Sequence, residues 1–398
     1  MQRYFWLFFI PFFSVLLSSC ASSPSPVLPP AKLTVIKSEL SIDEKWYRQI
    51  GAGVSDRYYL LEPVFYDDKI YVIDYLGVLS AINQSSGDVL WEENLNLSIS
   101  AGLTKIDDKL LVATNDGDVL ALDISTGKKV WKSKVSSEVF ARPVQADNLF
   151  ILKTVDGKIT ALETNTGKIK WVYDRPIPAL TLRGNSAPVV YENTIIAGMD
   201  NGKLIGLSAV TGQEIWSLTV AEPKGRTEIE RMVDIDASPV INGEHLYVVA
   251  YQGKIANIHI TSGKLVWTRD FSAYNGMAFN KNNIFISDSD GIIWAIDKKS
   301  GATIWKQDKL IRRSLTQPVV HNQNIVVADF NGYVHWLDTD DGHIKARAKM
   351  GDNGIDKESA EDFIFTKSSN ILIAPIVFKD DVFVFDRHGH ISKLTVRK

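Results

Sequence analysis

The chain has 398 residues, 45% of them hydrophobic and 23% charged, with 44 basic against 47 acidic side chains and a formal charge of −3. That composition describes a globular chain that can bury a large core; it excludes a disordered chain, a multi-span membrane protein and a surface drawn to nucleic acid by net charge. A single cysteine, Cys20, excludes an intrachain disulfide and any cysteine-based zinc site.

Residues 1–19 have the form of an export signal: Arg3 near the start, an apolar run from Tyr4 to Leu17, then the small residues Ser18 and Ser19. The run is too short to span a bilayer. Its end, Leu17-Ser18-Ser19-Cys20, resembles the bacterial lipobox. The resemblance implies that Cys20 becomes the lipidated first residue of the mature chain, and the absence of Asp after it implies sorting to the outer membrane. Acyl chains contribute about 0.8 kcal/mol per buried methylene, so a multiply acylated cysteine is a durable anchor. Residues 20–38 follow as a tether, with Pro24, Pro26, Pro29 and Pro30 among serines favouring extended backbone.

From residue 39 to 398 the chain reads as one repeat array. A first glycine recurs at Gly77, Gly117, Gly157, Gly202, Gly253, Gly291, Gly332 and Gly389, a mean period of about 45 residues. Ten positions later stands a second glycine: Gly87, Gly127, Gly167, Gly212, Gly263, Gly301 and Gly342. Fourteen positions after the first come Trp91, Trp131, Trp171, Trp216, Trp267 and Trp305. Each copy predicts four short strands. The first opens near a proline, a polar turn leads to a β-rich second, an Asp-Gly or Asn-Gly turn starts the third, and a Thr-Gly or Ser-Gly turn starts the fourth. The Asp-Gly and Asn-Gly pairs predict tight hairpins with positive φ at both central residues. No helical period intervenes, so eight four-stranded units predict an all-β, eight-bladed β-propeller.

The eighth copy ends nine residues past Gly389, without a fourth strand. Trp46, upstream of the first copy, is the expected replacement: an N-terminal strand would complete the last blade and leave no open seam. Four positions after the first glycine stand small residues, Ala81, Ala121, Ala161, Gly206 and Ala295, with Asn257 and Lys393 as departures. Copy seven inverts the sizes, with Trp336 in the small slot and Ala346 in the tryptophan slot. Compensation and repeat decay both account for that inversion at this level.

The Ala-x-Asp-x-x-Thr-Gly-x-x-x-Trp pattern resembles the tryptophan-docking repeat of quinoprotein propellers, in which the indole packs on a neighbouring blade. Together with the lipobox and the eight copies, the whole chain resembles the BamB family of outer-membrane protein assembly factors. The resemblance implies a non-catalytic adaptor of the BAM complex that binds the periplasmic POTRA domains of BamA and needs no cofactor. It assigns partner binding to Leu180, Leu182 and Arg183 in one loop and to Asp234 and Asp236 in another. Both loops connect a fourth strand to the next first strand, and they are long: 17 positions from Trp171 to Pro188 and 23 from Trp216 to Pro239, against 12 from Trp131 to Pro143. Long loops on a rigid scaffold are where binding residues concentrate. An internal pairing of Arg183 with Asp234 or Asp236 is the alternative reading of the charges, and unfolded outer-membrane proteins remain a second candidate partner.

The rival functions are a PQQ-dependent dehydrogenase and a generic ligand-binding propeller. No adjacent cysteines exist, and Gly-x-Ser-x-Gly, His-Glu-x-x-His and Walker A motifs are absent from the sequence. Asp288-Ser-Asp290-Gly291 resembles the start of a calcium loop, yet it falls on a repeat turn and position 12 is Lys299 rather than a bidentate Glu. His388-Gly-His390 likewise falls on the last hairpin turn. Residues 347–374 form a long mixed-charge connector with no assigned role.

Overall fold

The computed structural model describes residues 28–175, 186–222, 226, 233–351 and 371–397, and the propeller unit runs from Ala31 to Lys398. Its strands form eight four-stranded antiparallel sheets, the blades of an eight-bladed propeller. In blade 2 the strands are Ile99–Ile106, Lys109–Thr114, Asp118–Asp123 and Lys129–Lys134, and the other blades repeat this order.

Strand alternation builds the core. In the second strand of blade 2, Leu110 and Val112 join a cluster with Tyr71, Leu79 and Ala81 of blade 1, while Leu111 and Ala113 join one with Phe150 and Leu152 of blade 3. Eight such clusters lie between consecutive blades, and the eighth joins blade 8 (Phe383, Phe385, Trp46) to blade 1 (Ile70, Ile82). The middle strands are therefore apolar on both faces, whereas outer strands such as Val89–Asn94 alternate towards solvent.

The predicted closure is present. Ser41–Gln49 pairs antiparallel with His390–Arg397, with Trp46 opposite Lys393 and Glu44 opposite Leu394. Blade 8 is thus assembled from both ends of the array.

The repeat residues meet as a docking unit. Within a blade the small residue lies directly across from the tryptophan, as in Ala121 opposite Trp131 and Gly206 opposite Trp216, with a register shift immediately after. The indole then reaches the second glycine of the next blade: a Cβ on Gly167 would sit 2.5 Å from Trp131, and one on Gly212 2.5 Å from Trp171. Its Nε1 donates to the carbonyl three residues before that glycine, Thr164 for Trp131 (2.9 Å), Ala209 for Trp171 (2.9 Å), Lys298 for Trp267 (3.2 Å) and Thr339 for Trp305 (3.1 Å). Trp46 does the same to Gln84 (3.2 Å) and lies on Gly87 of blade 1. The aspartate of the repeat shapes the receiving turn: Asp123 Oδ1 accepts from Ser125 N and Thr126 N, and Gly127 N donates to Asp123 O (2.8 Å).

One local expectation is corrected. In the Asp-Gly and Asn-Gly turns only the glycine takes positive φ; Gly117 has φ 78°, Asp116 is not left-handed, and Gly117 N donates to Thr114 O (3.1 Å). These are three-residue loops with a glycine bulge rather than two-residue mirror-image turns. In blade 5 the left-handed residue is Gln252 (φ 50°) instead of Gly253.

Candidate functional site: the connector face

Turns between second and third strands and connectors between blades share one face of the disc. A Cβ on Gly117 would meet Ser137 O at 2.7 Å, and one on Gly202 would meet Ala221 O at 2.2 Å, so the connectors rest on the hairpin tips. The two long connectors, following blades 3 and 4, lie side by side there. Ala187 N donates to Ser238 Oγ (2.8 Å) and Ser186 Oγ donates to Ala237 O (3.3 Å). The structure therefore brings together the ends of the two stretches singled out in the sequence. Leu180, Leu182 and Arg183 themselves lie outside the described residues, as does Cys20.

The second stretch is firmly seated. Ile235 packs on Gly198, where a Cβ would lie 2.6 Å from its side chain, and Val233, Asp234 and Ile235 are all buried. Asp234 is 1% exposed and its carbonyl accepts from Tyr251 N (3.2 Å), which differs from the solvent-facing position that loop reasoning gives it. Asp236, two residues on, is only partly covered. Its Oδ1 is buried and accepts no hydrogen bond among the described residues. Burial pushes its carboxyl up to about 6; Lys153 nearby pulls the other way and the Asp200 carboxylate adds to the rise.

The two groups that act on Asp236 form an ion pair that sequence reasoning missed. Lys153, the last residue of the second strand of blade 3, donates to Asp200 Oδ1 (3.1 Å) and to Gly198 O (2.8 Å), with both side chains more than nine-tenths buried. The signal was faint: a lysine at the end of an otherwise apolar strand, Leu149–Lys153, whose partner is 47 residues away. With Lys153 held by Asp200, Asp236 is the carboxylate left under-satisfied. Ionising a carboxyl in that position disfavours the folded state relative to the unfolded one, and a cation brought to it relieves that cost.

The other candidate clusters are consumed by turns. Asp288 Oδ1 accepts from Asp290 N and Ile292 N while its Oδ2 accepts from Trp294 Nε1 (2.8 Å). His390 Nδ1 lies 2.9 Å from Asp386 Oδ2 and its ring stacks on Tyr47 at 5.2 Å. Among the described residues no group of three or more His, Cys, Asp or Glu side chains converges as a metal site would require.

Comparison with known proteins agrees with this architecture. The family model described as "Outer membrane protein assembly factor BamB" matches residues 76–307. Proteins of that name from Pseudomonas aeruginosa and Kangiella koreensis are 43% and 40% identical, over 95% and 99% of this chain and 95% and 96% of their own lengths. The crystal structure of BamB from Moraxella catarrhalis covers 89% of the chain, and 99% of that structure is matched, at TM-score 0.78 and 22% identity. Quinohemoprotein alcohol dehydrogenase from Comamonas testosteroni is alike in fold, with TM-score 0.66 at 12% identity over 89% of this chain and 76% of that one. The chain belongs to the family of outer-membrane protein assembly factors called BamB.

Proposed function

We propose that the chain is a non-catalytic, lipid-anchored adaptor at the periplasmic face of the outer membrane, which binds the POTRA domains of BamA through the connectors after blades 3 and 4. Family membership makes it an assembly factor of outer-membrane proteins. The observation that carries the finer reading is the pair of long connectors hydrogen-bonded to one another, one of them carrying the under-satisfied carboxylate of Asp236, on which the buried Lys153–Asp200 pair acts. Leu180 and Leu182 supply aliphatic anchors, Arg183 and Asp236 set orientation by charge, and Asp234 holds the second connector in place. Cys20 carries the lipid. The dehydrogenase alternative has only a shared fold behind it, since likeness at 12% identity does not extend to chemistry.

The test is co-purification with BamA from detergent-solubilised outer membrane. Truncating a hot-spot side chain costs roughly 2 kcal/mol, about a thirtyfold loss of affinity. Leu182→Ala or Arg183→Ala should therefore deplete BamA from the eluate while the melting temperature stays within a degree or two. Asp107→Ala, in a first-to-second-strand turn on the opposite face, should leave the complex intact. Equal depletion from both faces would move the partner site elsewhere.

A further inference from the structure

Residues 31–39 are laid along the rim of blade 7 as a strap without forming a fifth strand. At the connector face Ala31 N donates to Ile311 O (3.0 Å) and Ala31 O accepts from Arg313 Nη1 (3.0 Å). Midway, Thr34 O accepts from Arg347 Nη1 (3.1 Å). At the opposite face Glu39 N donates to Lys345 O (2.7 Å), and the Glu39 carboxylate meets His343 Nε2 at 3.2 Å. The strap thus crosses the full height of the disc, antiparallel to the outer strand Ile344–Lys349, before entering blade 8 at Ser41.

Two features set the strap apart from the blades. First, little holds it. Only Leu33 and Ile36 pack against the core between blades 6 and 7, whereas Lys32, Thr34, Lys37, Ser38 and Glu39 are exposed and Val35 is 83% exposed. Ordering each backbone residue carries an entropic cost, and nine residues ordered by two half-buried aliphatics, four main-chain contacts and the solvent-exposed Glu39–His343 pair sit near balance. Second, its receiving groups are fixed by groups other than the strap. Arg313 Nε donates to the buried Asp329 Oδ2 (2.6 Å), His335 Nε2 lies 3.1 Å from the same oxygen, and Arg347 Nε donates to His335 Nδ1 (3.2 Å). The cradle is built into blade 7 and the connector before it, from side chains that also bond to groups outside the strap.

A weakly held segment on a preformed cradle is a latch. We propose that residues 31–39 are a releasable latch that gives the membrane tether two lengths: residues 20–30 when seated and residues 20–40 when released. The proposal rests on the reading of Cys20 as the lipid anchor. At about 3.5 Å per extended residue, the disc is held within about 40 Å of the bilayer in the first state and reaches about 70 Å in the second. Seating also sets where the tether joins the disc, because Ala31 is held beside Ile311, on the connector face and between blades 6 and 7, across the ring from the junction of blades 2 and 3. Release lets the connector face turn to a partner held further from the lipid.

Amide hydrogen exchange on the full-length lipidated chain tests the latch. The amides of Ala31 and Glu39 should exchange at least 100-fold faster than the ladder amides of Ile344–Lys349. Leu33→Ser with Ile36→Ser should remove the remaining protection while leaving that of the blades unchanged. Protection of the strap equal to that of the ladder, or lost only together with it, would overturn the latch. The two lengths are read by energy transfer from a donor on Asp107→Cys to acceptor lipids in vesicles, with the lipidated Cys20 unavailable to the dye. The mean distance should lengthen in the Leu33→Ser, Ile36→Ser chain, and an unchanged distance would overturn the two-length tether. A Cys20→Ala chain that still floats with vesicles would overturn the anchor reading instead, with the exchange result still judging the latch.

Discussion

The junction between blades 2 and 3 and the junction between blades 7 and 8 come from the same repeat, yet they are packed in opposite ways. At the first, the outer-strand Trp131 lies on Gly167 and donates to Thr164 O. At the second, the outer strand carries Ala346 and the indole stands directly opposite it at Trp336, fully buried among Val326, Val382 and Leu394. The difference follows from how the ring closes. Blade 8 takes its third strand from the C-terminal end and its fourth from the N-terminal end, so it has no Thr-Gly turn to receive an outer indole. Blade 7 is the one copy facing a blade without that turn, and it is the copy that moves its tryptophan inward. The inversion is compensation: the pair keeps one large and one small residue, at the cost of leaving Trp336 Nε1 without a hydrogen-bond acceptor among the described residues.

The sharpest way to break this comparison is at the seam itself. Trp46 is 5% exposed, touches the cores of blades 8 and 1 and makes the docking hydrogen bond to Gln84. Trp46→Ala should cost about 3–5 kcal/mol, read as a fall in the urea midpoint. It should also expose the amides of Ser41–Gln49 to exchange before those of blades 2 to 6. A loss under about 1 kcal/mol would mean that the ladder alone closes the ring.

A smaller effect tests the compensation. The double variant Trp336→Ala, Ala346→Trp restores the repeat consensus to blade 7, and by family pattern alone it should be neutral or stabilising. With no receiving turn on blade 8, it should instead cost about 1–3 kcal/mol through a cavity inside and a crowded indole outside. A variant as stable as the parent would mean that blade 8 offers a docking surface after all.

How much of this was legible follows the range of the interactions. Repeat number, strand count and the role of Trp46 are written in the spacing of glycines and tryptophans, because each docking contact involves neighbouring copies in fixed register. The turn type was misread because Asp-Gly suits two hairpin geometries, and only the glycine bulge that follows distinguishes them. The burial of Asp234, the Lys153–Asp200 pair and the cradle of Arg313, Asp329 and His335 were not legible. Each joins residues from different blades or connectors at spacings the repeat does not fix. The strap was hidden for a related reason: its proline-flanked composition predicts extended backbone, which is what it has, but not the surface it lies on.

The smallest expected effect compares the free disc with the disc bound to its partner, through Asp236. Its carboxyl titrates near 6 in the fold against about 3.8 ordinarily, so the folded state binds the proton more tightly than the unfolded one. That group's contribution to stability is complete below pH 3.8 and is lost as pH rises through 6, so at pH 7.5 the ionised Asp236 destabilises the free protein. Asp236→Asn should then leave stability unchanged near pH 4 and raise it at pH 7.5, the gap opening between those limits. Partner binding should run the other way. If BamA brings a cation to this carboxylate, affinity rises with ionisation, and the wild-type complex tightens severalfold between pH 5 and pH 7.5. A severalfold change corresponds to roughly 1 kcal/mol, a size appropriate to a partly screened pair. The Asn variant, more stable alone, should bind more weakly at pH 7.5 and lose most of that pH dependence. The titration is a direct binding curve to the POTRA fragment at the two pH values for both chains. Parallel pH profiles for the two would place the partner's charge elsewhere on the connector face and leave Asp236 as a strained group of the fold.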